Sequence, residues 1–273
     1  MPGNKTNCIT IDAHILTSVH LKRDVKVDCY LPADIASHPF LHLLLINDGQ
    51  DLRTMQFEDI LDELVADNYI EPIFCVGIHC STDRKNEYGT AKILDYKGRG
   101  AKAALYTRFV MEELLPYIRK TYHILSFTEK SFAGFSLGGL SAIDIVWNNP
   151  EEFCMAAVFS GSMWWRDKDH DDKDFDENKD RIMHRQIREG NYYPWLKFFF
   201  EVGTLDEVAD RNKNGIIDSI DDTRSLIDEL KKKGYKEPND ICYLELKDGK
   251  HDVPTWARAF PKYLKWGWGR TEF

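Results

Sequence analysis

The sequence predicts a single α/β domain with a mostly parallel central sheet, antiparallel edge strands and helices on both faces. Three observations carry this expectation. From residue 42 onward, short apolar runs alternate with amphipathic segments. The strand-like runs are almost continuously apolar, as strands covered on both faces must be. The 273 residues, 43% hydrophobic, suffice for one large core, and no repeat or low-complexity linker divides them.

Taken in order, the strand-like runs are "DVKVDCYL" (24–31), "HLLLIND" (42–48), "IFCVGI" (73–78), "SFAGFS" (131–136), "MAAVFSG" (155–161), "KFFFEVG" (197–203) and "ICYLEL" (241–246). The first strands have no helix between them and so form the antiparallel edge. Helical segments fall at "FEDILDELVADN", "RGAKAALYTRFVMEELLPYI", "LGGLSAIDIVWNN", "DDTRSLIDELKKKG" and "VPTWARAFPKYLKW". The compositional break at "RDKDHDDKDFDENKD" (166–180) is too polar for a core and reads as an exposed loop or lid.

Charge narrows the function classes. With 36 Lys and Arg against 45 Asp and Glu, the formal charge is −9, and no basic cluster is dense enough to track phosphates, so a nucleic-acid partner is not expected. No stretch has the apolar length of a bilayer span, and the opening "MPGNKTNCITIDAH" lacks the apolar run of a signal peptide. A cytoplasmic location is therefore expected, with a periplasmic or secreted one the alternative if a leader has been trimmed. The six cysteines, at 8, 29, 75, 80, 154 and 242, lack metal-ligand spacing and suit buried free thiols.

The chemistry centres on "SFAGFSLGGLSA", where a strand meets a helix at Ser136. A nucleophile on so sharp a turn leaves no room for flanking side chains, and Gly134 and Gly138 remove them. The alternative is a serine that merely caps a closely packed helix. A serine hydroxyl is a poor nucleophile unless a base lies within reach and an acid orients that base. Of the histidines after Ser136, His170 lies in the acidic loop and His184 in a helical stretch. His251 follows the last strand run and precedes a helix, which places it on the same sheet edge as Ser136. The acid is expected in "GTLDE", as Asp206 or Glu207; Asp206 is favoured because it is shorter and comes first after the glycine turn. Oxyanion donors are expected from the Leu137 N–H at the helix start and the Gln50 N–H, after the tight turn that Gly49 permits.

A second motif, "DRNKNGIIDSID" (210–221), has the offsets of a twelve-residue calcium loop. Asp210, Asn212, Asn214, the Ile216 carbonyl, Asp218 and Asp221 are the expected ligands, and Gly215 makes the sharp turn. The closing residue is Asp rather than the longer Glu, and the alternative is an Asn-Gly turn before an acidic helix start. A bound structural Ca²⁺ is expected; Ser136 chemistry itself needs no metal.

Beyond these motifs, the chain resembles the esterase D, enterochelin esterase and feruloyl esterase group of α/β-hydrolases over almost its whole length. The resemblance is carried by "DVKVDCYLP", "LLLINDGQDL", "FCVGIHCSTDRKNEY", "FVMEELLPYI", "SFAGFSLGGLSA", "VFSGSMWW", "EVGTLDE" and "GKHDVPTWARAF", in the expected order. It implies the α/β-hydrolase fold, Ser136 as nucleophile, His251 as base, Asp206 as triad acid, and Gln50 with Leu137 as the oxyanion hole. It also implies pocket elements at Arg84 and Tyr88 of "RKNEY" and at Trp164 and Trp165. Where many relatives have His-Gly-Gly, this chain has Asp48-Gly49-Gln50. The expected activity is a serine carboxylesterase working through an acyl-enzyme, on feruloyl or acetyl esters of carbohydrates or on siderophore-like esters. The alternatives are an acyltransferase on the same fold, or a catalytically inactive calcium-dependent binding protein.

Overall fold

In a computed structural model, which describes residues 8–35, 38 and 41–270, every apolar run becomes a strand of one sheet. Residues 1–7, half of the segment read for a leader, lie outside the described residues. In chain order the elements are β1 (Ile9–Ser18), β2 (Arg23–Pro32), β3 (His42–Asn47), α1 (Phe57–Ala66), β4 (Ile73–Ile78), α2 (Arg84–Glu87), α3 (Ala103–Arg108), α4 (Leu115–Thr121), β5 (Lys130–Phe135), α5 (Leu137–Asn148), β6 (Met155–Phe159), α6 (Glu177–Asp180), α7 (Ile182–Glu189), β7 (Lys197–Leu205), α8 (Asp218–Lys233), β8 (Ile241–Lys250) and α9 (Val253–Trp268). A π-helical segment, Phe109–Leu114, joins α3 to α4.

The strands lie in the order β1-β2-β4-β3-β5-β6-β7-β8. β1 pairs antiparallel with β2, and β2 with β4, while all other pairings are parallel. This is the mostly parallel sheet with an antiparallel edge, on an α/β-hydrolase fold. β1 has no counterpart among the apolar runs. It is an edge strand in which only Ile9, Leu16 and Ser18 are buried, so its place is set by the backbone ladder to β2 rather than by an apolar pattern.

Side-chain alternation splits the interior into two layers. Phe132 of β5 and Phe198 and Phe200 of β7 face α5, α7, α8 and the α3–α4 stretch. Ala133 and Phe135 of β5 and Phe199 of β7 face α1 and α9. The polar segment 166–180 is exposed at 171–174, but its end folds. Asp180 and Arg181 are buried, and Arg181 pairs with Asp222 of α8 at 2.8 Å. No helix is long and apolar enough to cross a membrane among the described residues.

Because β3, β5, β6, β7 and β8 are parallel, their carboxyl ends share one rim, and the chain leaves it through Gln50, Ser136, Ser160, Asp206 and His251. The helix following His251 is seated by Phe260, which stacks on Phe159 (4.9 Å between centroids, 6° between planes) and meets Phe57 edge-on at 5.1 Å. Phe260→Ala is expected to cost about 3–5 kcal/mol of unfolding free energy in urea, the usual range for a buried phenylalanine. A loss below about 1 kcal/mol would show that α9 is held by other contacts.

Candidate active site

Ser136 sits between β5 and α5 with φ 55° and ψ −122°, a backbone conformation an L-residue holds only when its surroundings insist. Its N–H donates to the Phe159 carbonyl at 2.9 Å, and its carbonyl accepts from the N–H groups of Gly139 (3.0 Å), Ser162 (3.1 Å) and Leu140 (3.3 Å). A Cβ at Gly134 would lie 2.2 Å from the Gly138 carbonyl oxygen, and one at Gly138 2.6 Å from Asp48 Oδ2. Both glycines are thus sterically required. Leu137 opens α5, so its N–H has no intrahelical acceptor. Gln50 lies in the 3₁₀ turn Gly49–Asp51, its side chain tied down where Oε1 accepts from the Cys80 N–H at 3.1 Å.

Asp48 is buried and held by Arg84 through two hydrogen bonds of 2.7 and 2.6 Å. Arg84 also donates to the Phe135 carbonyl at 3.2 Å, and the Asp48 N–H donates to the Tyr88 hydroxyl at 3.2 Å. Of the two pocket expectations, Tyr88 is wholly buried, whereas Arg84 stays partly exposed while its guanidinium braces the Gln50 turn against the elbow. A buried carboxylate demands a cation, and Arg84 meets that demand for Asp48. Like Tyr88, Trp165 is fully buried, its ring packed where a Cβ on Gly89 would stand 2.7 Å away. Trp164 does line a cleft of about 500 Å³ on this rim, together with Tyr96, Arg99, Arg166, His170 and Glu207.

β7 and β8 slip in register between Gly203 and Leu205. A Cβ on Gly203 would lie 2.3 Å from the Gly249 backbone and 2.8 Å from Asp206 Oδ1, so this glycine lets the two loops meet. His251 Nδ1 stands 3.9 Å from Asp206 Oδ2. The Asp206 side chain is 1% exposed, and neither of its oxygens has a hydrogen-bond partner among the described residues. Such a carboxylate is an acceptor short of a donor, and the facing imidazole is about 1 Å beyond bonding range, a looseness common before substrate binds. Glu207 points elsewhere, accepting from the Ser219 N–H at 2.6 Å and so securing the start of α8. His184 is buried against Asp222 and Ser225, and burial holds its pKa well below the usual histidine range.

Two contributors escaped the sequence reading. Trp256 is buried: it stacks on Phe135 (4.9 Å, 22°), meets His251 edge-on (5.5 Å, 80°) and donates Nε1–H to Ser160 Oγ at 2.9 Å. It is the packing link between the histidine and the elbow. Glu201, buried in β7, showed itself only as a charge inside an apolar run.

In the loop 210–221, Asp210 Oδ1 and Oδ2 accept from the N–H groups of Asn214 (3.1 Å) and Gly215 (2.9 Å). Asn212 and Asn214 direct their amide N–H groups to Asp221 Oδ2 at 2.9 and 2.6 Å. Asp210, Asn212, Asn214 and Asp221 are therefore gathered. Asp218 instead accepts from the Arg211 N–H at 2.9 Å, and the Ile216 N–H donates to Asn214 Oδ1 at 2.8 Å. For these residues to hold a cation, both asparagines would have to turn their oxygens inward.

The chain matches the family described as "Putative esterase" over residues 18–266. It is 21% identical over 258 residues to the uncharacterized protein YjcH of Bacillus subtilis (strain 168), covering 94% of this chain and 96% of that one. Among solved structures, it superposes on the enterobactin esterase of Shigella flexneri with a TM-score of 0.70 at 21% identity, covering 94% of this chain and 58% of that one. A ferulic acid esterase gives a TM-score of 0.68 at 18% identity, covering 94% and 96%. The chain thus spans less than three fifths of the enterobactin esterase, and at these identities the superpositions speak for the fold.

Arg84→Met leaves Asp48 buried and unpaired and is expected to cost about 3–5 kcal/mol of stability. Adding Asp48→Asn should restore much of it. Equal denaturant midpoints for wild type and the single variant would show that the pair carries no structural load.

Proposed function

We propose that this chain, a member of the Putative esterase family and a carboxylic-ester hydrolase, works through an acyl-enzyme formed on Ser136. The observation that carries the mechanism is the strained Ser136 turn sharing a rim with His251, which faces the buried, donor-starved Asp206 at 3.9 Å. His251 Nε2 takes the Ser136 proton as Oγ attacks the ester carbonyl, and Nδ1–H closes onto Asp206, whose charge stabilises the imidazolium. The N–H groups of Leu137 and Gln50 receive the oxyanion, and His251 returns its proton to the leaving alcohol. Water, activated by the same histidine, then attacks the acyl-enzyme and frees the acid.

The cleft beside Trp164 supports an aromatic acyl group as substrate. Arg99 lies over Trp164 at 5.0 Å and Arg166 over Tyr96 at 4.8 Å, so cation and ring surfaces alternate where a phenolic acid would rest. Aromatic-acid esters of the feruloyl or siderophore kind are therefore the proposed class. For the loop 210–221, the proposal is a structural Ca²⁺ held by Asp210, Asn212, Asn214 and Asp221, bracing the segment that follows Asp206.

Ser136→Ala is expected to lower kcat/KM for p-nitrophenyl acetate by on the order of 10⁴-fold or more and to abolish labelling by a fluorophosphonate, with circular dichroism unchanged. Undiminished turnover would reject the mechanism. In a substrate panel, feruloyl and dihydroxybenzoyl esters should be cleaved with higher kcat/KM than acetyl esters of the same alcohol; the reverse order would reject the aromatic assignment. Calcium should raise the melting temperature of wild type and leave Asp210→Ala unmoved, and identical responses would remove the ion.

A further inference from the structure

Glu201 lies at the centre of β7, the strand next to the β8 edge, opposite Phe159 of β6 and Leu244 of β8, and is 1% exposed. Both carboxyl oxygens lack a hydrogen-bond partner of normal geometry. The groups facing it are Ser160 at the end of β6, Asp206 beyond the end of its own strand, and Arg258 of α9. Arg258 is committed elsewhere, to Asp248 through bonds of 3.1 and 2.7 Å. Ser160 holds a left-handed backbone (φ 46°), its N–H donates to the Glu201 carbonyl at 2.8 Å, and its Oγ accepts from Trp256 Nε1–H. Trp256 in turn carries the His251 ring on its edge. A line of contacts therefore runs from the Glu201 backbone carbonyl through Ser160 and Trp256 to the proposed base, and the Glu201 carboxyl faces the same Ser160.

We infer that Glu201 is a positioning residue for His251, acting in its uncharged form as the buried end of the Ser160–Trp256 support and leaving Asp206 as the single negative charge behind the imidazole. This rests on the reading of His251 and Asp206 as base and acid. The physical reason is that two buried carboxylates at one strand end, with no cation between them, cannot both ionise. Asp206 meets the histidine, so Glu201 keeps the proton; burial first, and then the Asp206 charge, push its pKa up to about 8. With the proton in place, Glu201 has an O–H to donate to its neighbours. Once the proton is lost, a second negative charge stands beside Asp206, repels it, and leaves an unpaired charge in the core at the end of the Ser160–Trp256 support, which unsettles the seat of the histidine. The sign for stability follows. The folded state binds this proton more tightly than the unfolded chain, so the native state loses stability as pH rises from the ordinary glutamate range to about 8.

The test is kcat/KM for p-nitrophenyl acetate from pH 6 to 10, with thermal unfolding in the same buffers, for wild type, Glu201→Gln, Glu201→Ala and Ser136→Ala. Wild type should lose activity about tenfold per pH unit above roughly pH 8. Glu201→Gln, which keeps the shape and a donor but cannot ionise, should lose that alkaline limb while retaining the acid limb, and should melt above wild type at pH 9. Glu201→Ala should lower kcat more than it raises KM. An alkaline limb in Glu201→Gln matching that of wild type, with Ser136→Ala inactive, overturns the inference alone. Full activity in Ser136→Ala overturns the triad reading and the inference with it. Should the Glu201 variants fail to fold, carbon-13 spectra of glutamate-labelled wild type decide. A carboxyl titrating near pH 8 sustains the inference, and its absence overturns it.

Discussion

The positive φ at Ser136 is the constraint on which the site depends. A conformation of this kind costs on the order of 1–3 kcal/mol and survives only where the surroundings over-determine it. Here the surroundings are β6, which takes the Ser136 N–H, and the first turn of α5 with Ser162, which hold its carbonyl. The two flanking glycines allow backbone to touch backbone. The strain is therefore held by the packing of the whole sheet rather than by the loop. That is why the hydroxyl can stand at the rim without a hydrogen-bond partner among the described residues, free to meet a substrate.

Around this turn the protein treats three buried acids in three ways. Asp48 is neutralised by a two-pronged arginine, which makes it a brace between the Gln50 turn and the elbow. Asp206 has no donor among the described residues and faces the His251 imidazole at 3.9 Å. Glu201 escapes the cost by keeping its proton. Each solution follows from what lies nearby, namely a guanidinium, a movable imidazole, or another carboxylate. An acid's place in the sequence does not say which of these it will meet.

Family membership and this geometry play different parts. The family fixes ester hydrolysis as the chemistry and leaves the substrate open, while the rim carries a cleft lined by Tyr96, Arg99, Trp164 and Arg166. Two of the residues expected there by resemblance, Tyr88 and Trp165, are instead parts of the core that hold the rim in shape.

By itself the sequence determined the alternating sheet, the strand–helix turn at Ser136 and the emergence of His251 beside the last strand. Apolar periodicity and the steric need for glycine act over a few residues and can be read locally. It also marked the four gathered residues of the 210–221 loop, whose spacing is likewise local. Only the tertiary structure shows what lies across from Asp206 and Glu207, which follow the same glycine: Asp206 faces His251, and Glu207 accepts from the Ser219 N–H. It alone seated β1, whose polar pattern needs a partner's backbone to make it a strand. It alone joined Arg84 to Asp48 and set Glu201 behind the histidine, since burial and the charge of a distant neighbour are properties of the folded chain.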